Sequence, residues 1–391
     1  MADAELSRHV LLVNWRDTTH PDGGGSERYV ERMARALVAR GHRVTVHCAA
    51  HENAPADEVI DGVRFRRRGG RLSVYLAAIL SVLRLRPDLV IDVQNGLPFF
   101  SPLVARRPVL VLVHHVHKEQ WYAYLGHPLG GIGWWLESRL APILYRRCAY
   151  VTVSETTARE LGRLGVDRER ITVIPCGQDP VPPTAVRRSA SPRMVAVSRL
   201  VPHKRIEHAI DAVARLRARF PGLTLDVVGC GVWEEPLREY AQKQGVADAV
   251  TLHGWVSEQR KHALIASAWL HLCPSLKEGW GLAISEAAAH GVPSIAYRAA
   301  GGVAESIVHG ATGLLADDQE QFTAQIDRLL GDPDLLESFG KQARRYTDAQ
   351  SWEASGVRFA ATVAATLDGV SAAEIAEPAG QQLEQFLSGT H

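Results

Sequence analysis

Two carboxylates eight positions apart carry the strongest chemical signal in this 391-residue chain. Glu278 lies in the loop Pro274-Ser275-Leu276-Lys277-Glu278-Gly279-Trp280-Gly281, and Glu286 falls about one turn into a helix expected to begin near Gly281. A helix start such as Gly281, Leu282 and Ala283 offers unpaired N–H groups to a phosphate. A carboxylate one turn further in can accept two vicinal hydroxyls, as on a ribose, and Glu278 in the loop can reach sugar hydroxyls. Two surface acids are the plain alternative. A second loop, Ser198-Arg199-Leu200-Val201-Pro202-His203-Lys204-Arg205, follows an expected strand. One guanidinium fork and one ammonium at a strand end suit a diphosphate, against the alternative of a solvated basic turn. A third, Asp22-Gly23-Gly24-Gly25-Ser26, lets backbone approach a ligand closely, or is a flexible turn. It is neither G-x-G-x-x-G with an acidic cap on the next strand nor a Gly-Lys-Ser/Thr loop, so dinucleotide and Walker-type sites are disfavoured.

The run Val113-His114-His115-Val116-His117 invites a metal reading. On an extended segment His115 and His117 share one face and His114 takes the other, and no carboxylates with ligand spacing stand nearby. No metal is expected there. The sole D-x-D, Asp332-Pro333-Asp334, reads as a helix N-cap with proline in the first turn.

These loops need strands and helices to position them. Val10–Val13 reads as a buried strand, Glu27–Arg40 as a helix with one apolar face, and Val44–Val46 as the next strand, which together make a βαβ unit. Further strands are expected at Leu89–Val93, Val109–Val113 and Ala149–Val153. The pattern breaks over residues 178–192, where four prolines among small polar residues read as an interdomain linker. It restarts with strands at Met194–Val197, Leu223–Val228, Val250–His253, Leu270–Cys273, Pro293–Ala296 and Gly313–Leu315, separated by helical stretches. The fold class is therefore α/β, with two Rossmann-like domains facing across a cleft and ligands at the carboxyl ends of strands. The domains are expected at 1–182 and 183–355. Residues 356–391 would add a helix crossing back to the first domain and a loosely held tail from Ser371.

Composition sets the outer limits. There are 44 Lys+Arg against 43 Asp+Glu, which argues against a general nucleic-acid binder. The five cysteines are few, odd in number and widely spaced, and form no C-x-x-C pair, so they read as buried thiols in a reducing compartment. Neither a secretory signal nor a membrane-spanning run is expected, and the location is read as cytoplasmic.

In combination and order, the E-x7-E pair, the Ser-Arg-Leu…Lys loop, the Gly-Gly-Gly-Ser-Glu turn, Ala300-Gly301-Gly302-Val303-Ala304-Glu305 and Gly310-Ala311-Thr312-Gly313-Leu314-Leu315 resemble glycosyltransferase family 4 over roughly residues 9–360. The resemblance implies a retaining GT-B enzyme that uses a nucleotide-diphosphate sugar as co-substrate, with UDP or GDP left open. It implies that Arg199 and Lys204 neutralise the donor diphosphate, that Glu286 binds the ribose and that Glu278 contacts the transferred sugar. Backbone at Gly24, Gly25, Gly281, Leu282 and Ala283 would approach the phosphates, and the base would sit near Gly254 and Val256. Family members carry a histidine near the transferred sugar at the position that His115 matches first and His117 second; Val116 stands where Asp or Thr is usual. Attack on the donor's own face without a metal or cofactor is implied, with a covalent route through Glu278 as the alternative. The competing functions are a nucleotide-sugar epimerase, a phosphorylase and a non-catalytic sugar-nucleotide-binding subunit.

The acceptor is expected on the first domain, as a small molecule or a lipid-linked sugar. Residues 1–182 hold 24 Lys+Arg against 19 Asp+Glu, and the remainder 20 against 24. Arg64, Arg66, Arg67, Arg68 and Arg71 precede the apolar Leu72–Leu83 segment, and residues 121–147 mix tryptophans and tyrosines with Arg139, Arg146 and Arg147. Such sequence suits an anionic membrane surface at the inner face of the membrane, or else an aromatic acceptor pocket beside ordinary core helices.

Overall fold

A computed structural model describes residues 7–182 and 186–370. The chain divides into two compact units, residues 1–177 with 352–391 and residues 178–351. The tail expected to be loose, from Ser371, lies outside the described residues.

The first unit opens with β1 (His9–Val13), α1 (Gly25–Val38), β2 (Arg43–Cys48), β3 (Asp57–Ile60), β4 (Val63–Arg67), α2 (Ser73–Leu85) and β5 (Leu89–Gln94). It continues with β6 (Val109–Val113), α3 (Lys118–Leu125), α4 (Leu129–Trp135), α5 (Ala141–Leu144), β7 (Ala149–Thr152), α6 (Glu155–Arg163) and β8 (Ile171–Val173). The sheet order is β3-β4-β2-β1-β5-β6-β7-β8, and only β3 runs antiparallel to its neighbour. Every residue of β1, β5 and β6 is buried, as central parallel strands covered on both faces require. Helix α1 buries Tyr29, Val30, Met33, Ala34 and Leu37 on one stripe.

The second unit holds β9 (Arg193–Val197), α7 (Ile206–Leu216), β10 (Thr224–Val228), α8 (Glu234–Lys243), β11 (Val250–Leu252), α9 (Glu258–Ser267) and β12 (Leu270–Cys273). Then come α10 (Leu282–Ala289), β13 (Ser294–Tyr297), α11 (Val303–Ser306), β14 (Gly313–Ala316), α12 (Gln319–Gly331) and α13 (Pro333–Asp348). Its six strands are all parallel, in the order β11-β10-β9-β12-β13-β14. The last helix, α14 (Trp352–Asp368), returns to the first unit. There a Cβ at Gly356 would stand 2.6 Å from that of Ala36, so α14 and α1 meet through two small residues. Arg358 and Ser355 donate to the carbonyls of Val173 and Pro175 at 2.8 Å.

The described part of the 178–192 segment is pinned to the second unit: Gln178 N–H bonds Gln350 O, Ser189 N–H bonds Ser267 O, and the Trp269 indole N–H bonds Ser189 O at 2.8 Å. The arginines at 64–71 are not one solvent-facing patch. They fall mainly on β4, where Arg67 is buried between Asp17 at 2.6 Å and Glu58 at 2.9 Å, while Arg66 and Arg68 pair with Asp57. A buried guanidinium needs carboxylates around it, and acids distant in sequence supply them.

Three histidines are core residues. His47, His114 and His271 are buried, and burial lowers the pKa of each to about 4. In the unfolded chain such groups take up a proton near pH 6.5. Stability is therefore fully present above that pH and lost as pH falls towards 4, by up to ~3 kcal/mol per histidine. Thermal unfolding followed from pH 7 to 4.5 is expected to show a steadily falling midpoint; a flat profile contradicts this.

Candidate functional site

In the second unit the strand order reverses between β9 and β12, and the two loops that leave their carboxyl ends carry the expected donor residues. Such a switch point is where open α/β sheets bind ligands. Lys204 sits in a short turn after β9 and its Nζ donates to Glu278 Oε1 at 2.5 Å. The Ser275 hydroxyl donates to the same oxygen at 2.7 Å. Burial alone would raise the Glu278 pKa; the Lys204 charge, with the hydrogen bonds from Lys204 and Ser275, outweighs it and holds the carboxyl below its ordinary range. The loop backbone is fixed as well. Glu278 N–H bonds Ala300 O at 2.8 Å, and Gly302 N–H bonds Glu278 O at 3.0 Å. Between them Gly301 has φ +78°, and a Cβ there would lie 2.6 Å from Glu278 O, so only glycine fits.

Arg199 is half-buried, in a loop held by Ser198 N–H to Val228 O and Leu200 N–H to Cys230 O at 3.0 and 2.9 Å. That close approach depends on Gly229 and Gly231 after β10. A Cβ at either would stand 1.9 Å from Ser198 O or 2.2 Å from Leu200 O. The sequence reading passed over this pair, although a G-x-G directly after a strand was a signal for it. Gly254, with φ +64°, accepts from Gly229 N–H at 2.9 Å, and Val256 packs beside Val195, Val228 and Leu264.

Gly281 caps α10 with φ +94°, followed by half-buried Leu282 and Ala283 in the first turn. The buried Trp280 indole donates to Ser285 Oγ at 3.1 Å and sets the loop's entry into the helix. Glu286 lies on α10 with 8% of its side chain exposed, and Lys261 of α9 donates to its Oε1 at 2.9 Å. Lys261, unforeseen from sequence, also reaches Glu258 at 2.9 Å. Lys204 and Glu278 thus touch, whereas Glu286 is held by a separate cation.

Gly24, Gly25, His115 and His117 belong to the first unit. Its strand order reverses between β1 and β5, and the loop after β1 leads through Gly24, the N-cap, to Gly25, the first residue of α1. Glu27 accepts from Gly24 N–H and Ser26 Oγ at 2.8 Å. Further back, Asp17 is paired with Arg67 and with His51 at 3.1 Å. After β6, His114 is buried edge-to-face against Tyr29. His115 and His117 stack on each other, with ring centroids 4.2 Å apart. His117 also contacts a residue absent from the sequence reading, Glu137. Among the described residues no group of three His, Cys, Asp or Glu side chains is placed to hold a metal ion. Asp332 caps α13 by accepting from Leu335 N–H at 3.0 Å.

Residues 23–182 match the glycosyltransferase family 4 domain, and residues 184–346 match the glycosyl transferases group 1 domain. A GDP-mannose-dependent alpha-(1-6)-phosphatidylinositol monomannoside mannosyltransferase of Mycobacterium tuberculosis is 33% identical over 91% of this chain and 97% of its own. The chain is a family 4 glycosyltransferase. This glycosyltransferase is also 27% identical to a glycogen synthase of the same species over 88% of its length and 91% of the relative's. An exopolysaccharide phosphotransferase of Streptomyces coelicolor is 37% identical over half of the chain, and the match spans 21% of that longer protein. Among solved structures, sucrose-phosphate synthase from Thermosynechococcus elongatus superposes with a TM-score of 0.78 at 19% identity, covering 93% of this chain and all of that one. Anabaena HepE in complex with UDP and glucose gives 0.71 at 18% identity, covering 92% of this chain and all of that one. These likenesses give the fold, two Rossmann-like sheets of the GT-B class.

Proposed function

We propose that this glycosyltransferase moves a sugar from a UDP- or GDP-sugar to an acceptor hydroxyl with retention of anomeric configuration and without a metal ion or other cofactor. The observation that carries the reading is the Lys204–Glu278–Ser275 cluster beside the Arg199 loop at the β9/β12 switch point. Breaking the sugar–phosphate bond develops positive charge at the anomeric carbon and negative charge on the departing diphosphate. Arg199, Lys204 and the N-terminus of α10 at Gly281–Ala283 supply charge and dipole for the diphosphate. Glu286 takes the ribose hydroxyls, Glu278 the transferred sugar, and backbone near Gly254 and Val256 the base. The first unit binds the acceptor, and the leaving phosphate helps deprotonate the attacking hydroxyl. The test is nucleoside diphosphate release from a panel of UDP- and GDP-sugars in the presence of EDTA. Slow release without acceptor supports the reading. An isomerised nucleotide sugar points to an epimerase, and binding without turnover to a non-catalytic subunit.

The same reading places the acceptor on or near an anionic lipid surface on the cytoplasmic side. Leu72, Leu76, Leu80 and Leu83 are 78%, 63%, 41% and 47% exposed, one stripe along α2 at helical spacing. Leu129, Ile132, Trp135 and Ile143 are exposed along α4 and α5. Val74, Ala78 and Val82 beneath the first stripe share one core cluster with Ala141 and Tyr145 beneath the second, so both lie on the same side of the sheet. Arg84, Arg86, Arg139, Arg146 and Arg147, all exposed, supply the charge complementary to an anionic headgroup. Among the described residues no helix is long and apolar enough to cross a membrane. The Leu76→Glu/Leu80→Glu variant is expected to keep its unfolding temperature and to lose ~10-fold or more in co-sedimentation with phosphatidylglycerol vesicles at low salt. A wild-type protein that fails to sediment with them removes the lipid surface from the account.

A further inference from the structure

The segment carrying His115 and His117 is built around a buried carboxylate to which the transfer reading gives no role. Glu137, 8% exposed, lies in a π-helical turn at Leu136–Leu140, a rare backbone form that concentrates at functional sites. Its Oε1 accepts the backbone N–H of His117 at 2.9 Å and faces His117 Nδ1 at 3.2 Å. Its Oε2 accepts the Trp121 indole N–H at 2.6 Å. Glycines seat that indole. A Cβ at Gly133 would stand 2.3 Å from its Cε3, one at Gly96 2.8 Å from its Cζ2, and one at Gly130 2.8 Å from the Trp121 carbonyl oxygen. The ring is therefore fixed, and it fixes the carboxylate. His115, stacked beside His117, has its Nε2 3.2 Å from the side-chain amide nitrogen of Gln120.

Each carboxylate oxygen of Glu137 already accepts an N–H, so the group is an acceptor on both sides and the proton between it and His117 belongs to Nδ1. A neutral imidazole carries one N–H. Nε2, on the far edge of the ring from Glu137, then keeps its lone pair. On His115 the corresponding nitrogen is engaged by Gln120. We propose that Glu137 is a positioning residue that locks His117 in the Nδ1–H tautomer, which makes His117 and not His115 the ring whose Nε2 accepts a hydrogen bond from a substrate hydroxyl. Only the substrate clause rests on the transferase reading; the tautomer lock stands apart from it. Carboxylates that orient a functional histidine through its other nitrogen act in this way at metal sites and catalytic triads.

The test uses the full chain labelled with 15N-histidine, with long-range 1H–15N spectra at pH 8 assigned by a His117→Gln variant. The wild type is expected to show His117 as Nδ1–H. Glu137→Ala is expected to move it towards the Nε2–H form that unconstrained imidazole favours. Glu137→Gln, which presents one acceptor and one donor, cannot serve His117 and Trp121 together and should disturb one of the two signals. Trp121→Phe removes only the indole donor and should keep Nδ1–H. Donor turnover by Glu137→Ala is expected to fall ~10–100-fold while the calorimetric Kd for nucleoside diphosphate changes less than about twofold. An Nε2–H wild type, or an unchanged tautomer in Glu137→Ala, overturns the lock. A lost tautomer with undiminished turnover overturns the substrate role. A wild type inactive on every donor removes the transferase reading and leaves the tautomer result standing.

Discussion

Lys204→Met is expected to cost ~3 kcal/mol of stability and to lower turnover by ~10³-fold. Two effects combine in this variant. The Glu278 carboxylate, 17% exposed, loses the cation 2.5 Å away and keeps the Ser275 hydroxyl at 2.7 Å and the Cys273 thiol at 3.8 Å. Breaking a largely buried pair from one side leaves an uncompensated charge and typically costs 3–5 kcal/mol. On the proposed reading the catalytic loss comes from the donor diphosphate, which loses one of the two side-chain cations assigned to it, Arg199 and Lys204, as the bond breaks. A cycle with Glu278→Gln separates the two. The amide that replaces the carboxylate in the double variant carries no charge, so most of the stability should return while turnover stays low. Urea unfolding and nucleoside diphosphate release are the two readouts. A Lys204→Met enzyme with wild-type turnover would remove Lys204 from the diphosphate site.

Glu286→Ala is expected to weaken binding of UDP or GDP by ~10–100-fold, the worth of one or two hydrogen bonds to a charged group at ~1.5–3 kcal/mol together. Pyrophosphate, which has no ribose, should bind the variant as it binds the wild type. The contrast matters because Glu286 is held by Lys261. Lys261→Met removes the cation 2.9 Å from Glu286 Oε1 at a site only 8% exposed and is expected to reduce stability and nucleoside diphosphate affinity together. Equal losses for pyrophosphate and nucleoside diphosphate in Glu286→Ala would move Glu286 away from the ribose. Titration calorimetry reads both ligands directly.

What the sequence conveyed depended on how local each signal was. Strands β1, β5, β6, β9 and β12 are short, wholly or mainly apolar runs between turn signals, and they stood out for that reason. Strands β3 and β4 did not, because Asp57-Glu58 and Arg64-Arg66-Arg67 are charged where a buried strand is expected to be apolar; Arg67 is buried because Asp17, 50 positions away, meets it together with Glu58. The helices between Lys118 and Leu144 are short, rich in glycine and aromatics, and interrupted by a π turn, which blurs any 3.6-residue period. The same distance rule separates the site residues. Glu278 and Glu286 announce themselves through one loop and one helix. Glu137 and Lys261 carry no local signature, since each is defined by a partner 20 or 25 positions away.

The histidines after β6 illustrate the limit from another side. His114, His115 and His117 look alike in sequence, yet one is core packing against Tyr29, one faces Gln120 and one is tied to Glu137. Alternation along the strand end could separate His114 from the other two. Separating His115 from His117 required the helices that follow.

The central claim is sugar transfer from a nucleotide-diphosphate donor with retention. The most direct measurement is proton NMR of the reaction on the donor that releases nucleoside diphosphate, in EDTA, following the anomeric proton of donor and product in one tube. The account predicts that an α-linked donor signal is replaced by an α-linked product signal as nucleoside diphosphate accumulates. A β-linked product, or a donor signal that never decays with any UDP- or GDP-sugar, contradicts it.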